Sequence, residues 1–271
     1  MNYNQGTFGK EFVLFTKKNP VIYIGYDSRE DQAYEVLRES ILQYTNKYDI
    51  IPLVQPSLRR AGLYRRSARI DIDHDKRIKI DEFDGRPFST DFTFTRFLIP
   101  ALNQYDGWAL FMDSDMFLRC NIEEFFEEYT KNEQYAIQCV QHNYNPTSSV
   151  KMDGQIQQTY NRKNWSSFVL WNCSHEANLN LTVDDVNLKS GSWLHGFSWL
   201  KDEEIGNIHQ EWNWLDGWTS EIIEPKNVHF TTGGPWFTEW EPKRQSDASF
   251  AGEWQGLKSK VFFEKALGEV I

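Results

Sequence analysis

The sequence predicts an α/β protein built on a mixed, mostly parallel sheet flanked by helices, and three observations predict it. The chain opens as a β-α-β unit: Val21 to Gly25 is a short β-branched run, Glu30 to Tyr44 carries Ala33, Val36, Leu37, Ile41 and Leu42 at helical spacing, and Asp49 to Val54 is a second apolar run closed by Pro56. Trp108 to Met112 is a continuous apolar run, the pattern of a strand buried on both faces of a parallel sheet. With 271 residues the chain can bury the core of one large domain, and no linker, internal repeat or low-complexity tract divides it, so residues 1–271 are expected to form a single domain.

The remaining elements follow in order. Ile70, Ile72, Ile78 and Ile80 alternate with charges around Asp73-His74-Asp75-Lys76, which predicts a hairpin between Arg69 and Asp81 at a solvent edge. Ser89-Thr90-Asp91 caps an expected helix carrying Phe92, Phe94, Phe97 and Leu98 up to Pro100. Asn121 to Tyr129 reads as an acidic helix, Tyr135 to Val140 and Ser167 to Trp171 as strands, and Ala248 to Leu267 as a helix that docks back on the domain. The polar stretch Gln141 to Trp165 is long for an idle connection.

Composition excludes several function classes. The mean hydropathy is -0.62, and the longest apolar runs fall far short of the ~18 residues that a membrane span requires. Met1 to Pro20 lacks the layout of a cleavable signal peptide, so the expected location is cytoplasmic. Thirty-nine acids against 29 bases give a formal charge of -10, which opposes broad binding to nucleic acid or to an anionic membrane. Cys120, Cys139 and Cys173 are too few and too widely spaced for a disulfide framework or a zinc ribbon, and read as buried thiols.

The sharpest local signal is the strand Trp108 to Met112 running into Asp113-Ser114-Asp115. Side chains at i and i+2 of an extended chain share a side, so both carboxylates can converge on one hard cation at the carboxyl edge of the sheet, where open α/β folds bind ligands. Alone, such a pair is more often a solvated strand-to-turn junction. A second motif supports it: His229 follows a short apolar run and precedes Gly233-Gly234-Pro235-Trp236. Its imidazole can complete an O/N ligand set, which suits Mn²⁺ better than Ca²⁺, with Mg²⁺ the alternative. His74, His142, His175 and His209 read as structural.

In combination these motifs resemble the nucleotide-sugar glycosyltransferases of the GT-A (Rossmann-like) fold, and among them the retaining family 8 enzymes, with a closer similarity, through Lys151 to Gly154 and Arg162 to Trp165, to small bacterial and phage members. The resemblance runs through Tyr26-Asp27, Thr93 to Pro100, Asp113-Ser114-Asp115, Asn164 to Asn172, Trp212-Asn213 and His229 to Trp236, joined by Lys151-Met152-Asp153-Gly154 and Arg162-Lys163. It implies transfer of a hexose, glucose or galactose, from a UDP-sugar such as UDP-glucose to a hydroxyl acceptor, with retention. By the same resemblance Tyr26 and Asp27 hold the uracil end, and Arg96 lies near the ribose or phosphate. Asp113, Asp115 and His229 bind the metal, while Gly25, Ser114, Lys163, Gly233, Gly234 and Trp236 complete the donor site.

Where the chain departs from the family, the expected roles move. The family's Phe-Asn-Ser-Gly stands as Asn164-Trp165-Ser166-Ser167, which leaves Asn164 as the asparagine for the sugar. Its Asp-Gln-Asp stands as Asp202-Glu203-Glu204, so Asp202, then Glu203, become the expected carboxylates for a sugar hydroxyl. The family's tail lysine is missing between Gly233 and Pro235, and Lys163, Arg65 or Arg66 are the candidates to replace it. The arginines from Arg59 to Arg69 read first as a solvated face. Two alternatives accompany the transferase: a catalytically idle nucleotide-sugar or carbohydrate-binding module on the same scaffold, and a phosphatase of the haloacid-dehalogenase type, whose Asp-x-Asp would normally sit on the first strand.

Overall fold

The computed structural model describes residues 19–73, 76–142, 162, 164–219, 224–236 and 248–268. Its central sheet comprises β1 (Val21–Gly25), β2 (Ile50–Leu53), β6 (Trp108–Met112), β8 (Ile137–Cys139), β9 (Phe168–Asn172) and β10 (Ile205–Asn207), in the order β10-β8-β9-β6-β1-β2. The β1/β2, β1/β6 and β8/β10 pairs are parallel; β9 runs antiparallel to both β6 and β8. The mixed, mainly parallel sheet expected from the sequence is therefore the one observed.

The alternation of side chains explains the unbroken apolar strands. Val21 and Tyr23, Ala109 and Phe111, and Val169 and Trp171 enter one core, which also takes Phe92, Phe94 and Phe97. Ile22 and Ile24, Leu110 and Met112, and Phe168 and Leu170 enter the other, beneath α1 (Asp31–Leu42) and α4 (Ile122–Tyr129). Because both faces are covered, both sets must be apolar. Asn121 caps α4 by accepting from the Glu123 amide at 3.0 Å. A third core joins Ala33 and Val36 of α1 to Trp254, Leu257 and Val261 of α8 (Ala251–Gly268), which docks as expected, with Lys265 paired to Glu35 at 2.6 Å.

Two smaller sheets complete the frame. The predicted hairpin is β3 (Ala68–Asp73) against β4 (Lys76–Asp81), extended by β5 (Pro87–Phe88). The second sheet sets β7 (Met116–Leu118) against β12 (Asn227–His229), with β11 (Trp214–Leu215) beside it. The helices α2 (Gln55–Arg60), α3 (Ile99–Leu102), α5 (Glu176–Leu179), α6 (Val183–Leu188) and α7 (Gly191–His195) fill the connections.

The structure departs from expectation at three points. The helix expected from Ser89 to Pro100 is a 3-10 turn over Thr95–Leu98 leading into α3, with Pro100 in the first turn of α3, where its missing N–H costs no hydrogen bond. Cys139 and Cys173 are buried, but Cys120 is only partly so. The arginine run is not a simply solvated face. Arg66 is buried against Asp81, both side chains 1% exposed, and it also donates to the Val186 and Lys189 carbonyls. Such a guanidinium is spent inside the protein and cannot take the place of the tail lysine. Arg65, the other arginine considered for that place, pairs with Asp184.

Candidate functional site

The acidic pair and the histidine meet through sheet register. Asp113 and Asp115 lie between β6 and β7; on the facing strand His229 pairs with Met116, and the Phe230 amide donates to the Asp115 carbonyl at 2.9 Å. One ligand atom from each of Asp113, Asp115 and His229 lies within 4.8 Å of the others. The group stands at the carboxyl ends of β6 and β1, where Ile24 is level with Met112, so Tyr26 and Asp27 leave the sheet at the same edge.

The tautomer of His229 is set by a hydrogen-bond relay. The Ser167 hydroxyl donates to the Asn164 carbonyl at 2.8 Å, which leaves its oxygen to accept from Asn213 Nδ2 at 2.9 Å. The Asn213 amide oxygen then faces His229 Nδ1 at 2.9 Å and accepts its N–H. In the neutral ring Nε2 therefore carries the lone pair, 3.3 Å from Asp115 Oδ1. Two acceptors this close, in a histidine 3% exposed, call for a cation or a proton between them. Two carboxylates and a neutral imidazole fit a divalent transition ion.

The other expected residues divide into several groups. Ser114 is fully buried, and its hydroxyl has no hydrogen-bond partner among the described residues. Arg96 is buried over the rings of Phe111 and Phe92, and its Nη1 lies 2.8 Å from Asp113 Oδ1 and 2.9 Å from the Ser166 carbonyl. Asn164 adopts φ 64° ahead of the 3-10 turn Trp165–Ser167, which places it beside the carboxyl end of β6. A Cβ on Gly25 would lie 2.5 Å from the Phe92 ring, so this glycine makes room for Phe92. Gly233 and Gly234 form the turn after His229, and the Trp236 indole packs onto Gly234 and between Phe230 and Trp254, inside the third core. Lys163, the segment Lys151 to Gly154, and His74 lie outside the described residues.

Asp202 and Glu203 are placed differently. They lead into the amino end of β10, which runs parallel to β6, so they stand toward the strand end opposite the one that carries Asp113. Both are exposed, and Asp202 is paired with Arg162.

Two histidines carry positions that nothing in their local sequence marks. His195 Nδ1 is 2.8 Å from the Ser166 hydroxyl, the residue whose carbonyl holds Arg96. His142 follows β8; burial, then the charge of His229, lowers its imidazole to about 3. It is neutral at physiological pH, with Nε2 buried and without a hydrogen-bond partner among the described residues. By contrast, His175 has the structural role expected of it, capping α5 by accepting from the Ala177 amide at 3.2 Å.

No protein-family model matches the chain. Protein CDI of Arabidopsis thaliana is 42% identical over 246 residues, an alignment covering 88% of this chain and 86% of that protein. The chain belongs to the Protein CDI family. Solved structures similar to this CDI-family chain include glycosyltransferases. The galactosyltransferase LgtC, in complex with donor and acceptor sugar analogs, has a TM-score of 0.53 at 11% identity over 89% of this chain and 95% of its own. The glycosyltransferase GlyE of Streptococcus pneumoniae gives 0.54 at 12% identity over 91% of this chain and 63% of its own. The bifunctional glycosyltransferase WbbM gives 0.53 at 14% identity over 89% of this chain, which spans about half (52%) of the WbbM chain. At these identities the likeness is one of fold: this CDI-family chain has the GT-A glycosyltransferase fold. Among the described residues, no helix is long and apolar enough to cross a membrane.

Proposed function

We propose that the chain is a metal-dependent glycosyltransferase that moves a hexose, glucose or galactose, from a UDP-sugar to a hydroxyl acceptor, with retention as in family 8. The observation that carries this reading is the meeting of Asp113, Asp115 and His229 within 4.8 Å at the carboxyl ends of two parallel strands of a GT-A sheet. Mn²⁺, or Mg²⁺, held by these three side chains would act as a Lewis acid toward the departing diphosphate.

The protein's own groups have separable tasks. Asn213 keeps the His229 lone pair directed at the cluster, and Arg96 offsets the charge of Asp113, so the acidic pair persists in a partly buried place. The loop after β1 receives the nucleoside, and Asn164, ahead of the 3-10 turn that leads into β9, borders the sugar. Asp202 and Glu203, exposed and leading into the far end of β10, are not proposed to touch the anomeric carbon.

Release of UDP from UDP-glucose and UDP-galactose, with and without Mn²⁺ and with a panel of hydroxyl acceptors, tests the reading. Metal-dependent release that is lost in Asp115→Ala supports it; equal release after metal removal counts against it. The placement of Asp202 and Glu203 favours one second reading, a binding module without turnover. That reading predicts metal-dependent UDP binding with no release on any acceptor.

A further inference from the structure

The loop after β1 holds a guanidinium where the resemblance puts a carboxylate. Asp27 is 1% exposed, and its carboxylate is filled by the protein itself. Oδ1 accepts from the Arg29 amide at 3.0 Å and from Arg29 Nε at 2.9 Å. Oδ2 accepts from Arg29 Nη2 at 2.6 Å and from the Asp91 amide at 3.0 Å. A carboxylate offers about four lone-pair sites, so none is left for the N–H of a bound base. Lys79 Nζ, 3.8 Å from Oδ2, adds charge on the same side.

Arg29 is fixed from below and open above. Its Nε and Nη2 are engaged by Asp27, and Nη2 also donates to the Ser89 carbonyl at 2.5 Å. Of the five N–H donors of a guanidinium, three are thus used, and the two on Nη1 have no partner among the described residues. The side chain is 53% exposed, at the strand edge that carries the metal-ligand cluster. A guanidinium held in a bidentate grip loses little rotational freedom when it binds, which favours its use in recognition.

We propose that Arg29 is the residue that reads the base of the donor nucleotide, and that Asp27 holds Arg29 instead of touching the base. The inference rests on the donor-nucleotide reading above and names its specificity. Nη1 offers donors only, so it selects a base edge bearing a carbonyl acceptor, as uracil and guanine have, over adenine, which turns an amino group to the same position.

Calorimetry of UDP, GDP and ADP in the presence of Mn²⁺ provides the test, on the full chain and on Arg29→Met and Arg29→Lys, with circular dichroism to verify folding. The expected result is preference for UDP or GDP over ADP in the parent, a loss of about tenfold or more in Arg29→Met, and a narrowed gap to ADP. Arg29→Lys keeps a charge beside Asp27 if the methionine variant is unstable, and should recover only part of the preference. An unchanged preference in either folded variant overturns the assignment to Arg29, as does ADP binding as tightly as UDP in the parent. Absence of binding by all three nucleotides overturns the donor reading and this inference together.

Discussion

His229 Nδ1 lies 2.9 Å from the amide oxygen of Asn213, and this contact decides which ring nitrogen faces the acidic pair. Asn213 is itself oriented by Ser167, and Ser167 by the Asn164 carbonyl, so three polar residues outside the cluster set the chemistry of one ligand. Removing such a partner lowers metal affinity without removing a ligand. Asn213→Ala is expected to weaken Mn²⁺ binding by about 10- to 100-fold. Asn213→Asp, which keeps an acceptor for Nδ1, should recover most of it. Calorimetric titration with Mn²⁺ measures both.

Removal of a ligand should cost more than removal of its holder. Asp113→Ala or Asp115→Ala is expected to reduce turnover by roughly 10²-fold or more, through loss of charge stabilisation on the leaving group. Initial rates of UDP release at saturating Mn²⁺ check this.

The Arg66–Asp81 pair ties the hairpin β3/β4 to the chain around α6, and both side chains are buried. Arg66→Met leaves Asp81 as a buried charge without its guanidinium, and is expected to destabilise the fold by about 3–5 kcal/mol. The double variant Arg66→Met/Asp81→Leu should recover much of that loss. Urea denaturation gives both values, and nucleotide binding by the folded fraction should be unaffected.

Asp27 makes part of the stability depend on pH. Burial alone would raise its carboxyl, but the hydrogen bonds and charge of Arg29 outweigh burial and hold it at about 2, below the ordinary 3.8. A carboxyl depressed on folding contributes stability above its unfolded value, and that contribution is lost as pH falls through the folded value. The stability difference between the parent chain and Asp27→Asn should thus be level above about pH 4.5 and shrink by about 2 kcal/mol toward pH 2. Denaturation midpoints at stepped pH read it directly.

At Gly234 a Cβ would stand 2.0 Å from Cζ3 of the Trp236 ring. Gly234→Ala must displace that indole from its place on Phe230 and Trp254, at a cost of about 1–3 kcal/mol. A lowered melting temperature with red-shifted tryptophan emission is the expected sign.

Much of the fold was legible because its strands are covered on both faces. The runs Val21 to Ile24, Trp108 to Met112 and Phe168 to Trp171 had to be apolar throughout, and local periodicity separated the helices α1, α4 and α8 from them. The stretch from Ser89 to Pro100 misled because its aromatics keep a near-helical spacing while Phe92, Phe94 and Phe97 are buried from a turn and a 3-10 segment. Burial demands apolar side chains of any backbone, so hydrophobicity alone cannot name the backbone there. For Asp202 and Glu203 the likeness to the family's Asp-Gln-Asp is local, whereas the strand end at which they stand follows from the direction of β10, which is set by pairing with β8.

The sequence by itself determined the α/β class, the acidic pair at the end of an apolar strand and the histidine before a Gly-Gly turn, because each is written in neighbouring residues. Only the tertiary structure decided that Met116 and His229 share a register, that Asn213 orients the imidazole, and that Arg29 and Arg66 are held by Asp27 and Asp81. Hydrogen bonds and ion pairs depend on distances of a few ångströms between side chains. Folding sets most of those distances between residues far apart in the chain, and no local pattern records them.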